Sequence, residues 1–225
     1  MKATIGKTQL QTSSGLTFIH PAYTGTHTEC MQQIRSAGEQ PPIYSQVTDM
    51  VYEAVIKDPN NQYSKEIRQI MRSSWLRADT GLLYLPDGRA YVQDRPILGS
   101  DGLPKMEESE LEAKLQANDP SVRFVEPGFN TGEQTVFELA KNPYVIALAS
   151  EQGAEQLAEI ASTYKNKPVV FSLEDVSEPT TRVSALGVCD WELDFRLDVV
   201  GDDHGDYRYG HAFVVRIAEG DAQKI

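Results

Sequence analysis

The chain has 225 residues, of which 40% are hydrophobic and 24% charged, the composition of an ordinary globular protein with a buried core. It has no apolar stretch long enough to cross a membrane, no signal-peptide pattern and only two cysteines, too few for a disulfide framework, so we expect a cytoplasmic protein. Residues 1–100 contain 10 Lys or Arg and 9 Asp or Glu, whereas residues 101–225 contain 11 and 24. Because so acidic a half repels phosphate, we do not expect it to bind nucleic acid.

The first hundred residues are predicted to be rich in helices and to end in a small hairpin. The segment THTE at 26–29 is a capping box, and Ser45 and Ser64 each precede an apolar pattern of helical period, so three helices are expected. A β-hairpin is expected at 82–93, where Pro-Asp-Gly provides turn chemistry between two apolar runs. Residues 101–121 are expected to contain a linker and a short helix that begins at a second capping box, SELE.

Residues 122–225 are predicted to form an α/β part, which either is a separate domain or shares one domain with residues 1–100. Apolar runs that indicate strands alternate here with helical patterns that begin at Thr131 and Ser150. The three expected strands are VRFVE (122–126), YVIALA (144–149) and PVVFSL (168–173). Since short links join strand and helix in turn, the pattern predicts a parallel βαβαβ core over about residues 122–173.

The segment GDDHGDYRYGH at 201–211 contains two histidines and three aspartates, residue types that often bind metals. Alternating apolar residues on both sides of it predict an antiparallel hairpin at 190–217 with a three-residue turn. In that hairpin His204 lies at the exposed tip and His211 lies on the buried face opposite Leu197, roughly 20 Å away, so one metal ion cannot bind both histidines. The expected fold is therefore α/β, with a mixed sheet that combines the parallel core and this hairpin, preceded by the helical N-terminal part.

Two further histidines, His20 and His27, are the candidate acid–base groups, because they flank a hydroxyl-rich helix start. His27 also lies one helical turn before Cys30, and a helix N-terminus lowers a thiol pKa, so a His–Cys nucleophile pair is one interpretation. Cys30 belongs to an apolar stripe with Met31 and Ile34, however, and a buried, inert cysteine is the favoured interpretation.

Ligands of open α/β sheets bind beyond the carboxyl ends of the parallel strands, where the predicted core has two kinds of candidate residue. Candidate anion-binding residues stand at expected helix starts, where free N–H groups and the helix dipole favour negative charge: Asn130, Thr131, Gly132 and Ser150. Candidate metal ligands are the acidic residues expected at the same edge: Glu126, Glu151, Glu174 and Asp175. Carboxylate oxygens suit Mg²⁺, which often bridges to substrate phosphates.

These residues favour the binding of a phosphorylated small molecule or nucleotide, with Mg²⁺-dependent turnover as an option. The chain has neither a GxGxxG fingerprint nor a GxxxxGK[ST] loop, so no nucleotide motif adds support. One alternative is a non-catalytic protein–protein interaction or a structural role, which the charge asymmetry suggests. Another is nucleic-acid binding through the predicted helix at 65–77, where Lys65, Arg68 and Arg72 share a face. Enzymatic activity and oligomeric state are left open by the sequence.

Overall fold

The computed structural model describes residues 8–189 and 195–217. Within these ranges, ten strands form one mixed sheet and six α-helices accompany it, with a π-helical turn (Glu53–Lys57) after the second helix. The strands are β1 (Thr8–Gln11), β2 (Leu16–Gly25), β3 (Leu76–Tyr84), β4 (Ala90–Asp94), β5 (Val122–Val125), β6 (Gly132–Glu133), β7 (Val169–Phe171), β8 (Thr180–Cys189), β9 (Arg196–Asp203) and β10 (Gly210–Ile217). The helices are α1 (His27–Ser36), α2 (Tyr44–Tyr52), α3 (Gln62–Ser73), α4 (Glu108–Gln116), α5 (Val136–Lys141) and α6 (Pro143–Ala161).

The order of the strands is β1-β2-β10-β3-β8-β9-β7-β6, with β4 beside β3 and β5 beside β4. The parallel neighbours in the described part of the chain are β3 with β10 and β7 with β9. The predicted α/β class and mixed sheet are thus confirmed. Parallel pairing between 122 and 173 is limited to β7, however, because β5 pairs antiparallel with β4.

Strand β3 is the point at which the sheet branches. Its first residue, Leu76, pairs with His211 of β10, whereas residues 80–84 pair with β4. Strand β8 runs along the other side of β3, and the register of this pair shifts between Arg77 and Gly81. Such a bulge bends a strand and redirects its side chains. Here it separates the part of β3 that pairs with β10 from the part that pairs with β4.

The N-terminal helices and the small hairpin follow the prediction. Thr26 and Glu29 form the capping box of α1, and α2 and α3 begin within one turn of Ser45 and Ser64. In the hairpin, Leu82 pairs with Val92 across the Pro-Asp-Gly turn. All of these features depend on residues that are close together in the chain.

The predicted strand at 144–149 is wrong, because these residues are helical. Asn142 caps α6 by accepting a hydrogen bond from the Tyr144 N–H at 2.9 Å. Pro143 follows in the first turn, where proline is tolerated because N–H groups there make no hydrogen bond within the helix. Four of the buried residues have the spacing of one helix face, Tyr144, Val145, Leu148 and Ala149, and Ala147 beside them is buried as well. A short apolar run suits a buried strand and a buried helix equally, and the Asn-Pro cap favours the helix here.

Two predicted helix starts are also wrong, and one is correct. Thr131 begins no helix, because Thr135 caps α5 in a capping box with Glu138. The SELE capping box does not form, since α4 already begins at Glu108 and has no side-chain cap. Ser150, by contrast, interrupts α6 with φ 74° and ψ 169°, and its Oγ accepts a hydrogen bond from the Gly153 N–H at 3.2 Å. Ser150 therefore begins the second half of α6.

The predicted antiparallel hairpin at 190–217 does not form. Strand β9 pairs with β8 and β7, whereas β10 pairs with β2 and β3, and Leu197 opposes Val188 instead of His211. Alternation of apolar residues specifies which face a strand buries but not which strand is its neighbour. Residues 190–194 of this prediction lie outside the described residues.

Strands from the two predicted parts of the chain alternate in the sheet. Strand β3 lies between β10 and β8, and β2 also pairs with β10. The main hydrophobic core likewise takes buried side chains from both parts, among them Met50, Leu82, Leu148 and Leu186. No helix in the described part of the chain combines the length and the apolar character needed to cross a membrane.

Candidate functional site

A cleft of about 540 Å³ opens between α1 and the loop that follows β4. Its volume is typical of sites for small molecules, which are roughly 300–1,000 Å³. Four of its lining residues are charged: Arg35 of α1, Glu39 after α1, Asp79 of β3 and Arg95 of the loop. The cleft therefore lies where the β3 bulge meets two segments that are distant in the chain.

The bulge in β3 places Asp79 at the floor of the cleft. Its N–H donates to the Pro42 carbonyl and its own carbonyl accepts from the Arg95 N–H, each at 2.7 Å. Both backbone groups are thus bonded to loops instead of to a neighbouring strand, which fixes the residue in the bulge. The side chain is only 1% exposed. A carboxylate so deeply buried requires a partner.

Arg35 supplies that partner. Its Nη2 lies 2.8 Å from both carboxylate oxygens of Asp79. Burial raises the pKa of Asp79 above its ordinary value, while the positive charges of Arg35 and Arg95 act in the opposite direction. The Arg35 side chain is 38% exposed, so it spans from the buried carboxylate to the solvent side of the cleft.

Arg95 is held in an unusual backbone conformation by its neighbours. Its φ is 52°, in the left-handed region that costs a residue with a Cβ about 1–2 kcal/mol. With its amide oxygen turned towards Arg95, Gln40 accepts hydrogen bonds from Nε and Nη2, both at 2.7 Å. Gln40 is itself tied to the sheet, because its carbonyl accepts from the Val215 N–H at 2.9 Å. The Arg95 guanidinium is therefore oriented by a neutral group.

Two cations and two carboxylates line the cleft, but the ion pairs that they form among the described residues do not include Arg95. Arg35 is paired with Asp79, and Glu39 at the rim is paired with Arg216 of β10, whose Nε lies 3.2 Å from Glu39 Oε2. Within the described ranges, no ion pair joins Arg95 to a carboxylate, although Asp79 attracts it at longer range. Among the described residues, Arg95 is consequently the cation of the cleft that has no carboxylate partner, in a chain whose net charge is −12.

One wall of the cleft is apolar and well supported. Pro96, Ile97 and Leu98 form it, and Ile97 is 75% exposed. The loop is braced by the Lys105 N–H, which donates to the Ile97 carbonyl at 2.8 Å. It also packs closely on β3, since a Cβ on Gly81 would lie 2.7 Å from the Pro104 ring. The wall is thus a fixed part of the cleft.

The predicted acid–base residues are buried away from this cleft. His20 is 2% exposed, its ring lies 4.8 Å from those of Tyr63 and Phe213, and its Nδ1 is 3.3 Å from Glu66 Oε2 without the geometry of a hydrogen bond. His27 is 1% exposed, and its Nε2–H donates to the Ala78 carbonyl at 3.0 Å. Neither side chain lines the cleft.

Cys30 is buried, as its apolar stripe predicted. Its Sγ lies 3.6 Å from the Tyr23 carbonyl, and burial raises the pKa of the thiol to about 11. Burial also lowers the pKa of His27 to about 4. A neutral imidazole beside a protonated thiol is not an activated nucleophile pair.

The predicted anion-binding residues do not form one site. Asn130 and Thr131 precede β6, which contains Gly132, and the Thr131 hydroxyl donates to the Glu174 carboxylate. The helix start that the prediction required lies at Thr135 instead. Ser150 lines a separate cavity of about 160 Å³ between the N-terminus of α2 and the kink in α6.

The predicted metal ligands are exposed and lie on separate elements. Glu126 follows β5, Glu151 belongs to α6, and Glu174 and Asp175 follow β7. Because β5 and β7 are not neighbours in the sheet, their ends do not gather these carboxylates at one edge. In the described part of the chain, no group of three or more His, Cys, Asp or Glu has an arrangement that could hold a metal ion.

The basic helix face is used within the protein. Arg68 Nη2 donates to the Pro59 carbonyl at 2.6 Å, and the Arg72 guanidinium lies 4.7 Å from the centre of the Phe195 ring. These contacts occupy two of the three cations on which the nucleic-acid alternative depends. Lys65 is the third cation of this helix face.

Sequence reasoning missed the residues that line the cleft. Asp79 and Arg95 fall in RADTG and DRPILG, and the second segment has the composition of a linker. The sequence did contain one signal, because Asp79 is an acidic residue just before the apolar hairpin at 82–93. An acidic residue that is buried in such a position needs a partner elsewhere in the chain. Comparisons of the chain with protein-family models, with curated proteins and with solved structures found no match.

Proposed function

We propose that the protein binds a small anionic molecule, phosphorylated or carboxylated, in the cleft between α1 and the loop at 95–99. The observation that carries this proposal is the position of Arg95, a cation without a carboxylate partner among the described residues, at a cleft whose other charges are paired. An arginine in that setting retains donors for an anion, and its planar group suits carboxylate and phosphate.

The conformation of Arg95 supports the same function. A non-glycine residue in the left-handed region persists only where surrounding contacts hold it, and such residues concentrate at ligand sites. Here the Asp79 carbonyl and the Gln40 amide provide those contacts. The strain therefore serves to present the guanidinium at the cleft. We assign binding alone, because Arg35 occupies the Asp79 carboxylate and neither His20 nor His27 lines the cleft.

A thermal-shift screen with inorganic phosphate, acetate, hexanoate, glycerol phosphate and AMP tests the proposal. A ligand at a hundred times its Kd adds about 2.7 kcal/mol to the free energy of unfolding. At roughly 2–4 °C per kcal/mol for a chain of this size, the Tm then rises by about 5–10 °C.

Two variants make the screen specific. Arg95→Gln removes the free cation and is expected to abolish the rise in Tm. Arg89→Gln removes an arginine outside the cleft, paired with Asp87 and Glu108, and is expected to keep it. If Arg95→Gln responds to every anion as the natural chain does, the cleft is not the site and the proposal fails.

The protein–protein alternative is favoured by a different observation. In the loop at 204–209, Tyr207 and Tyr209 are 41% and 67% exposed, and they flank Arg208. Tyrosine and arginine are enriched at the centres of interfaces. Self-association is the simplest form of this function. It predicts a sedimentation coefficient that rises with concentration and falls back in Tyr209→Ser, and a monomer at all concentrations contradicts it.

A further inference from the structure

Resting on the proposed function, we infer that the ligand of the cleft is an amphipathic monoanion: one carboxylate attached to an apolar body, not a nucleotide or other polyanion. The juxtaposition that carries this inference is the guanidinium of Arg95, which has no carboxylate partner among the described residues, beside an exposed apolar wall.

The charge of the cleft matches one negative charge. Asp79 neutralises Arg35 through both carboxylate oxygens and Arg216 neutralises Glu39, so Arg95 is the lining cation left without a carboxylate partner in the described part of the chain. A nucleotide carries several negative charges and needs several cations or a metal ion. The described residues provide no metal-holding group, and the chain as a whole is acidic. A polyanion would therefore meet one unpaired cation and no metal-holding group among the described residues.

The donors that remain on Arg95 match a carboxylate. A guanidinium has five N–H donors, and the amide oxygen of Gln40 accepts from Nε and from Nη2. Three N–H groups are left, one on Nη2 and two on Nη1. The edge between Nη1 and Nη2 presents two parallel donors, which is the arrangement that binds the two oxygens of a carboxylate.

The wall beside Arg95 matches an apolar body. Ile97 lines the cleft next to Pro96 and Leu98, and this large apolar residue is 75% exposed. Sugar hydroxyls would gain little from such a wall, whereas an alkyl or aromatic group would be removed from water on binding. The same ligand can therefore satisfy Arg95 and cover Ile97.

Isothermal titration calorimetry with acetate, butyrate, hexanoate and octanoate tests the inference against inorganic phosphate, AMP and ATP. We expect affinity to rise about twofold to fourfold for each CH₂ that the wall covers. Ile97→Ser is expected to remove most of this chain-length dependence. Phe137→Ser, which removes a 65% exposed apolar side chain on α5, is the control and is expected to keep it.

The outcomes separate the inference from the proposed function. If phosphate or ATP binds more tightly than every carboxylate, and Arg95→Gln abolishes that binding, the ligand class is wrong although the site stands. If affinity is independent of alkyl length, or if Ile97→Ser leaves the dependence intact, the apolar part of the inference is wrong. If no anion binds in a way that depends on Arg95, the proposed function itself fails.

Discussion

The Nε2–H of His27 donates to the carbonyl oxygen of Ala78 at 3.0 Å, and the whole ring is buried between α1 and β3. This contact joins the helix that supplies Arg35 to the strand that supplies Asp79. The neutral imidazole of His27 can be buried at little cost, whereas burial of the charged imidazolium is unfavourable. We therefore expect the stability of the folded protein to depend on pH.

We expect the free energy of unfolding to fall as the pH is lowered from 6.5 to about 4. Burial lowers the pKa of His27 to about 4, so in this window the unfolded chain binds a proton that the folded chain does not. The loss attributable to His27 is about 3 kcal/mol, it is absent above pH 6.5, and it is complete near pH 4. Urea titrations at pH 7.0, 5.5 and 4.5 measure it.

The comparison with variants isolates this residue from the carboxylates that titrate nearby. His27→Gln, which retains an N–H donor, is expected to show a shallower pH dependence than the natural chain. His204→Gln removes an exposed histidine and is the matched control. Equal slopes for His27→Gln and the natural chain over this window contradict the prediction.

The buried pair of Arg77 and Asp203 holds the loop at 204–209 against the sheet. Arg77 is fully buried, and its Nη2 also donates to the Tyr207 carbonyl at 2.9 Å. We expect Asp203→Ala to lower the free energy of unfolding by about 3–5 kcal/mol, because it leaves a buried cation without its partner. Urea unfolding measures the loss.

Two further variants test this prediction. The double variant Arg77→Met, Asp203→Ala is expected to be less destabilised than the sum of its single changes, since it leaves no unpaired charge. Asp87→Ala, which breaks an exposed pair with Arg89, is expected to cost under about 1 kcal/mol. A loss as small as this in Asp203→Ala would show that the buried pair has no structural role.

The backbone of Ser150 predicts an unusual order of variant stabilities. Its φ of 74° and ψ of 169° lie in a region that glycine alone adopts without strain. Ser150→Gly relieves that strain, whereas Ser150→Ala keeps it and also loses the hydrogen bond from Gly153. We expect Ser150→Gly to be more stable than Ser150→Ala by about 1–3 kcal/mol, measured by thermal unfolding. The reverse order would contradict the strained conformation.

Cys30 is expected to be unreactive in the folded protein. It is buried, and burial raises the pKa of its thiol to about 11, so almost no thiolate is present at pH 8. In a Cys189→Ser chain, where Cys30 is the remaining thiol, we expect no reaction with a chromogenic disulfide reagent over minutes without denaturant. Full reaction in urea is the control, and rapid reaction of the folded chain contradicts the prediction.

Elements governed by neighbouring residues were predictable, and strand pairing was not. The capping box of Thr26 and Glu29, the hairpin at 82–93 and the break at Ser150 each depend on a few consecutive residues. The run at 144–149 was misassigned because a buried helix and a buried strand share the same apolar composition. The pairing of β9 and β10 was misassigned because alternation does not identify a partner.

By itself, therefore, the sequence determined the α/β class, the mixed sheet and the approximate positions of the first three helices. Capping and periodicity act within one or two turns, so they place such helices without the rest of the fold. Only the tertiary structure decided the cleft. Arg35 and Asp79 are 44 residues apart, and they meet because the sheet branches at the β3 bulge and brings α1 over it. The energy of that contact depends on burial, and burial is a property of the assembled sheet, not of any segment of the chain.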